Sequence, residues 1–215
     1  RRHGKLVLLD TAGDTGLGPT LGLHFGMTGR LIVDGGAAID RLEYASGRDD
    51  PAWDRFVVDL GPVGGGGGAG VLRVNDPRRW ARFDLDPDEG RLGPDFLTID
   101  RGELARRLDG RRAALKAILL DQSVVAGFGN LCVDEILWQA GVAPDRSAGS
   151  LTSGELDAVC SAMREHLPAM LDLFPQRGTV PQHLPADMAL HQRGTAGHDV
   201  GERRHALEKR DVLEG

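Results

Sequence analysis

The chain has 215 residues, of which 40% are hydrophobic and 27% charged, and its formal net charge is -6. That supplies a real core for one large domain or two small ones, and no window resembles a transmembrane span or a secretory h-region, so a soluble, cytosolic protein is expected. The acidic balance argues against a broadly basic nucleic-acid binder, although a local patch can do the electrostatic work.

Two cysteines, Cys132 and Cys160, are too few and too far apart for a disulfide framework or a paired-cysteine metal site. The cations are nearly all arginine, with lysine only at Lys5, Lys116 and Lys209. A compositional bias would produce this, and so would phosphate recognition by the guanidinium fork.

The chain opens on Arg1 and runs almost at once into a strand-like "GKLVLLD", so further residues upstream are expected. In "TLGLHFGMTGRLIV", Leu21, Leu23, Phe25 and Met27 alternate with small or polar residues at period two. "RFVVDL" (55–60), "GVLRV" (70–74) and "ARFDL" (81–85) add short strands. "GRDDPAW" reads as a polar turn and "GPVGGGGGAG" (61–70) as a loose hairpin connection.

Helical spacing begins near residue 101 with "DRGELARRL" and continues through "RRAALKAILLDQ", with Leu115, Ile118 and Leu119 in register. "NLCVDEILWQAG" places Leu131, Ile136 and Leu137 in a stripe that Gly141 ends. Thr152 and Glu155 form a capping box for a helix carrying Leu156, Val159, Cys160, Met163 and Leu167. The pattern fails from Phe174, and one short helix near 201–210 is the only element expected in the tail. The fold class is α+β: an incomplete N-terminal antiparallel β-sandwich (1–92), an all-helical domain (100–173) and an irregular tail (174–215).

Four stretches carry chemistry. In "DQSVVAGFGN" (121–130), Gly127 and Gly129 allow close backbone approach and Asn130 is placed to cap the next helix, which makes an anion seat or an ordinary helix connection. "NDPRRW" would display Arg78, Arg79 and Trp80 at a turn, for a phosphate and a base step or simply for solvent. In "HFGMTGR", Gly26 and Gly29 allow a tight hairpin that projects Met27, whose other reading is core packing. Lys5, after a glycine in "RRHGK", could reach a phosphate.

Taken in order, "RRHGK", "LHFGMTGRL", "NDPRRW" and "DQSVVAGFGNLCVDEILWQAGVAPDR" resemble the formamidopyrimidine-DNA glycosylase and endonuclease VIII family over residues 1 to 173. The resemblance implies a β-sandwich and a helix–two-turn–helix domain with DNA in the cleft between them. It implies that Lys5 and Arg79 contact phosphates and that Asn130, on the Gly127–Gly129 loop, helps seat the phosphate beside a damaged nucleotide. Met27, Arg78 and Trp80 would fill the gap left by a flipped base. The expected partner is double-stranded DNA with a damaged or abasic site, met by a monomer, with no membrane involved and a cytoplasmic, nucleoid-associated location.

Two features of the family find no counterpart in these residues. Its N-terminal proline nucleophile and adjacent glutamate are not present, so the 215 residues are expected to be catalytically inert as given, with Lys5 in a supporting role. Its zinc finger needs two CxxC pairs, whereas His183, His191, His198 and His205 lack zinc-ligand spacing, so no metal or cofactor is expected. The readings are therefore a base-excision glycosylase with lyase activity, a silent relative that binds damaged or abasic DNA, or a helical module for RNA or protein. The last has no need of "HFGMTGRL" or "NDPRRW".

Overall fold

The period-two residues of the first half form two antiparallel sheets. Strands β1 (Arg2–His3), β2 (Leu6–Gly13), β3 (Gly16–His24) and β9 (Arg82–Leu85) lie side by side in one sheet. In the other, β5 (Gly36–Ala37), β4 (Arg30–Val33), β8 (Ala69–Asn75) and β7 (Asp54–Pro62) follow in that order. A short parallel pair joins β6 (Arg41–Leu42) to β10 (Thr179–Val180). This computed structural model describes residues 1–13, 16–37, 41–42, 47–62, 69–177 and 179–180.

Register explains which side chains meet. Val7 lies opposite Leu23 and Leu9 opposite Leu21 across β2 and β3. One face of that sheet is therefore apolar and turns toward the other sheet. Leu21, Leu23, Val74 and Ala81 form the buried centre, with Val7, Leu9, Phe25, Leu31, Phe56 and Val58 packed around them. Each fully buried aliphatic side chain contributes about 1.5–3 kcal/mol. Phe83 closes one side against Phe56, with ring centroids 4.3 Å apart.

The long alternating run is two strands rather than one. β3 stops at His24, the chain turns through residues 25–29, and β4 resumes in the opposite sheet. The turn is closed by the Gly29 N–H donating to the Phe25 carbonyl at 2.9 Å. A Cβ at Gly29 would sit 2.4 Å from that same oxygen, so a glycine is required there. "GRDDPAW" contains a single helical turn, Pro51–Trp53, capped by Asp50. Of the glycine-rich connection, Gly61–Gly70 and Pro62–Ala69 pair across the β7–β8 hairpin, and residues 63–68 lie outside the described residues.

The second half is helical: α1 (Arg101–Leu108), α2 (Leu115–Leu120), α3 (Asn130–Ala140) and α4 (Ser153–Arg177). Asp100 caps α1 by accepting from the Glu103 N–H at 2.8 Å. The capping box of α4 forms as expected: Thr152 N–H donates to Glu155 Oε2 at 2.8 Å, and Glu155 N–H to Thr152 Oγ1 at 3.2 Å. All five apolar positions anticipated for α4 are buried. In α3 the buried residues are Val133, Ile136 and Leu137, and Leu131 is only partly covered. Gly141 ends α3 at φ +66°, in the left-handed conformation.

Two boundaries differ from the sequence reading. α1 and α2 are separate helices, because residues 113–116 bond to another segment. Leu115 N–H donates to Arg146 O, Lys116 N–H to Pro144 O, and Ala148 N–H to Ala113 O. α4 also runs on through Phe174 to Arg177. The tail from 181 onward, with the short helix expected near 201–210, lies outside the described residues. Among those described, no helix is long and apolar enough to cross a membrane.

Candidate nucleic-acid interface

The loop between α2 and α3 is held from within. Gln122 Oε1 accepts the Gly127 N–H at 2.9 Å, while its Nε2 donates to the Leu120 and Phe128 carbonyls. Val124, Val125, Ala126 and Phe128 are buried, so their side chains anchor the loop as the glutamine braces it. Gly127 adopts φ +114°, and a Cβ there would fall 2.1 Å from the Phe96 ring. That ring packs edge-on to Phe128, with centroids 5.2 Å apart.

The loop delivers an unobstructed helix start. Asn130 is not the N-cap expected from the sequence. Gly129 holds that position in an extended conformation (φ -119°), and its carbonyl accepts from the Val133 N–H at 3.0 Å. Asn130 is instead the first residue of α3 and exposed, and among the described residues its side chain has no hydrogen-bond partner. The amide is thus free to contact a ligand at a helix end that carries partial positive charge and first-turn N–H groups without intrahelical partners.

The β1–β2 turn of the sandwich lies directly on this loop. Gly4, at φ +58°, approaches so closely that a Cβ would be 2.8 Å from Ala126 Cβ and 2.9 Å from Gly127 N. Asp95 pins the contact, accepting two bonds from Arg2 at 2.7 and 2.8 Å and one from the Gly4 N–H at 2.7 Å. Burial pushes the Asp95 carboxyl up, but Arg2 and the N–H groups of Gly4 and Leu97 outweigh it and hold the group below the usual carboxylate range.

The pin brings Lys5 to the helix start. Lys5 Nζ lies 3.7 Å from where a Cβ on Gly129 would be. Partial burial lowers the Lys5 pKa, and nearby Cys132 opposes that shift.

A second group lies at the adjoining end of the first sheet. His24 on β3 is paired in register with Arg82 on β9. Its Nδ1 accepts the Gly26 N–H at 3.1 Å. Burial lowers the His24 pKa, and the charges of Arg82 and Lys5 lower it further. The ring is therefore neutral near pH 7 and, with Nδ1 accepting, Nε2–H is a donor. The sequence reading did not single out His24 or Arg82. The clues available were a histidine closing an alternating run and an arginine two residues past Trp80.

Beside these, two turns project side chains. Met27 is 58% and Trp80 55% exposed, so Met27 is not a core residue. Gly26 lies against Trp80, where an added Cβ would be 2.9 Å from Trp80 Cβ. The Arg78 guanidinium sits 5.9 Å from the Trp80 ring centroid. Arg79 is exposed and adopts φ +62°, a left-handed conformation that non-glycine residues rarely hold.

The acidic total still leaves a local group of cations without carboxylate partners. Arg1, Arg2, Arg73, Arg101 and Arg107 are each paired with carboxylates. Among the described residues, Lys5, Arg78, Arg79 and Arg82 have no carboxylate partner within ion-pair distance. The chain is acidic overall and uncompensated at this edge, which suits a polyanion. No group of three or more His, Cys, Asp or Glu able to hold a metal is assembled among the described residues. Cys132 sits on α3 and Cys160 on α4, and the tail histidines His183, His191, His198 and His205 lie outside the described residues.

Comparison with known proteins shows the family. A family model for the formamidopyrimidine-DNA glycosylase N-terminal domain matches residues 1–83, and one for the formamidopyrimidine-DNA glycosylase H2TH domain matches residues 92–173. A formamidopyrimidine-DNA glycosylase of Cereibacter sphaeroides is 39% identical over 178 residues, covering 78% of this chain and 58% of that protein. One from Sinorhizobium fredii is 32% identical over 208 residues, covering 88% and 67%. The crystal structure of the MutM (Fpg) protein from Thermus thermophilus superimposes with a TM-score of 0.64 at 28% identity, covering 90% of this chain and 70% of that one. The chain thus spans 58% of the length of the first of these relatives.

Proposed function

The chain belongs to the formamidopyrimidine-DNA glycosylase family, and on that premise we propose that it serves base-excision repair by gripping a damaged or abasic DNA duplex between its sandwich and its helices. One observation carries this reading: Lys5 of the sandwich and the open start of α3 with Asn130 meet at Gly129. A cation, a free amide and a helix N-terminus at one point make a seat for a single backbone phosphate.

His24, Arg82 and Arg79 extend the grip along the strand. Met27 and Trp80, with Arg78 beside the indole, enter the stack where a base is missing or turned out. Phosphate contacts fix position and carry no sequence information, so the preference is for a deformable, damaged site rather than a base sequence. Residues 1–92 and 100–173 are the two jaws. All of these groups lie on one chain, and we take it to act as a monomer associated with the nucleoid. The activity proposed for the whole protein is excision of oxidised bases with glycosylase and lyase chemistry, and no catalytic residue is assigned within this set.

The test is binding to a duplex with one abasic site and to the intact duplex of the same sequence, across a salt series. We expect at least tenfold preference for the abasic duplex, the scale of one or more added contacts. Affinity should fall with salt, and Lys5→Ala should flatten the log–log slope by about 0.9, the share of one phosphate. Equal affinity for the two duplexes, or no salt dependence, contradicts the reading.

A further inference from the structure

Asp76, the first residue after β8, is buried, yet it lies at the root of the most exposed turn of the proposed interface. Its carboxylate accepts backbone N–H bonds from Arg78 at 3.1 Å, Trp80 at 2.6 Å and Ala81 at 2.7 Å. Its own N–H donates to the Trp53 carbonyl at 2.9 Å, and its carbonyl accepts from the Arg79 N–H at 3.2 Å. A single residue therefore sets the path of the chain from 76 to 81, including the left-handed conformation at Arg79.

The carboxylate has a fourth donor, from outside that turn. The Thr28 hydroxyl donates to Asp76 Oδ1, and both residues are buried. Thr28 belongs to the 25–29 turn, next to Met27. The polar bond and the contact of Gly26 with Trp80 hold the two turns together from opposite ends. Met27 and Trp80 emerge from the two sides of this joint, each more than half exposed.

We propose that Asp76 is a positioning residue: through its bond to Thr28 it holds the Met27 turn and the Arg78–Trp80 turn as one wedge, and this joint sets the preference for a duplex with a missing base over an intact one. The inference rests on the duplex-gripping function proposed above and adds to it a determinant of selectivity that touches no DNA. Burial pushes the Asp76 carboxyl up, while Thr28 and the three N–H groups together hold it below the usual range, so it is ionised near pH 7 and all four bonds are charge-assisted. The phosphate seat at Lys5 and Asn130 does not involve Asp76, and removing the Thr28 bond leaves the three N–H bonds that shape the Arg79 turn. Loosening the joint at Thr28 should therefore leave electrostatic affinity for any duplex in place while insertion into a gap becomes less favourable.

The experiment uses Thr28→Val, which removes the hydroxyl at nearly constant shape, and Thr28→Ser, which restores it. Melting temperature, affinity for an intact duplex, affinity for the same duplex with one abasic site, and fluorescence of 2-aminopurine opposite that site are measured for each. Thr28→Val should lose about tenfold of the abasic-over-intact preference, as expected for one charge-assisted hydrogen bond. The fluorescence rise on binding should shrink with it, while intact-duplex affinity stays within about twofold of the parent. Thr28→Ser should recover the preference. If Thr28→Val does not fold, Asp76→Asn is read by the same ratio.

An unchanged ratio, a matching loss on intact DNA, or a Thr28→Ser variant as impaired as Thr28→Val overturns the positioning role. A parent protein with no abasic preference overturns the functional reading and this inference with it. A normal parent with an indifferent Thr28→Val overturns the inference alone.

Discussion

Arg79→Gly should melt no lower than the parent protein and still bind duplex DNA about 10- to 100-fold more weakly. The two effects have separate causes. Arg79 holds φ +62°, where the Cβ of an L-residue crowds the following carbonyl at a cost of about 1–2 kcal/mol. Glycine removes that cost, offset in part by its greater freedom in the unfolded chain. Among the described residues the guanidinium has no carboxylate partner within ion-pair distance, so its removal breaks no ion pair there. What is lost is a charged contact to DNA, worth about 1.5–3 kcal/mol. A strained arginine without a partner at the tip of a turn is what a binding residue looks like when function sets the side chain and the fold would be content with glycine. Thermal unfolding and duplex titration of the same sample check both halves. A variant that melts lower, or that binds DNA as tightly as the parent, contradicts the assignment.

The second large effect is on the fold itself. Gly127→Ala places a methyl group 2.1 Å from the Phe96 ring at φ +114°, a conformation nearly confined to glycine. Backbone strain and overpacking each cost about 1–3 kcal/mol, and Phe96 cannot retreat freely, because it packs against Phe128 and lies under the Arg2 guanidinium. A fall in melting temperature of roughly 5–20 °C follows at about 2–4 °C per kcal/mol. DNA affinity should fall too, since the displaced loop carries the start of α3. Gly129→Ala is the internal control. Its backbone is extended and its nearest neighbour is the Lys5 side chain at 3.7 Å, so the fold should tolerate it. Indistinguishable melting of the two variants would show that the 127 position does not brace the loop.

These two glycines also show where the sequence was readable and where it was not. Both stood out as breaks between helices, but nothing local separates a glycine needed for its φ from one needed for the approach of Lys5. Asn130 was read both as a ligand-facing amide and as a cap, and the structure corrects the second reading. A small polar residue before an apolar stripe fits the N-cap and the first helical position alike, and the Gly129 carbonyl takes the capping role. The division of the 101–122 run into two helices was hidden for a similar reason. "RRAALK" has good helix formers throughout, and the break is imposed by backbone bonds to residues 144–148, thirty positions away in the chain.

The sandwich strands and the α4 cap were legible because period-two spacing and a capping box are local patterns with one physical meaning each. The family resemblance rested on short motifs that bring their own chemistry, and these residues make up the proposed interface. The roles of Asp95, Asp76, His24 and Arg82 were not legible because they exist only once distant segments meet. Asp95 joins Arg2 and Gly4 to Leu97 across more than ninety residues, and Asp76 joins Thr28 to Trp80. A lone aspartate in a charged chain carries no such signal.

The claim beneath all of this is that a lysine from the sandwich and an amide from the helices hold the same phosphate. A double-mutant cycle with Lys5→Ala and Asn130→Ala, read as affinity for an abasic-site duplex at fixed salt, tests it most directly. A shared phosphate predicts that the two losses are not additive, with a coupling energy of about 0.5–3 kcal/mol between them. Losses that sum within about 0.5 kcal/mol would place the two side chains on separate ligands and contradict the account.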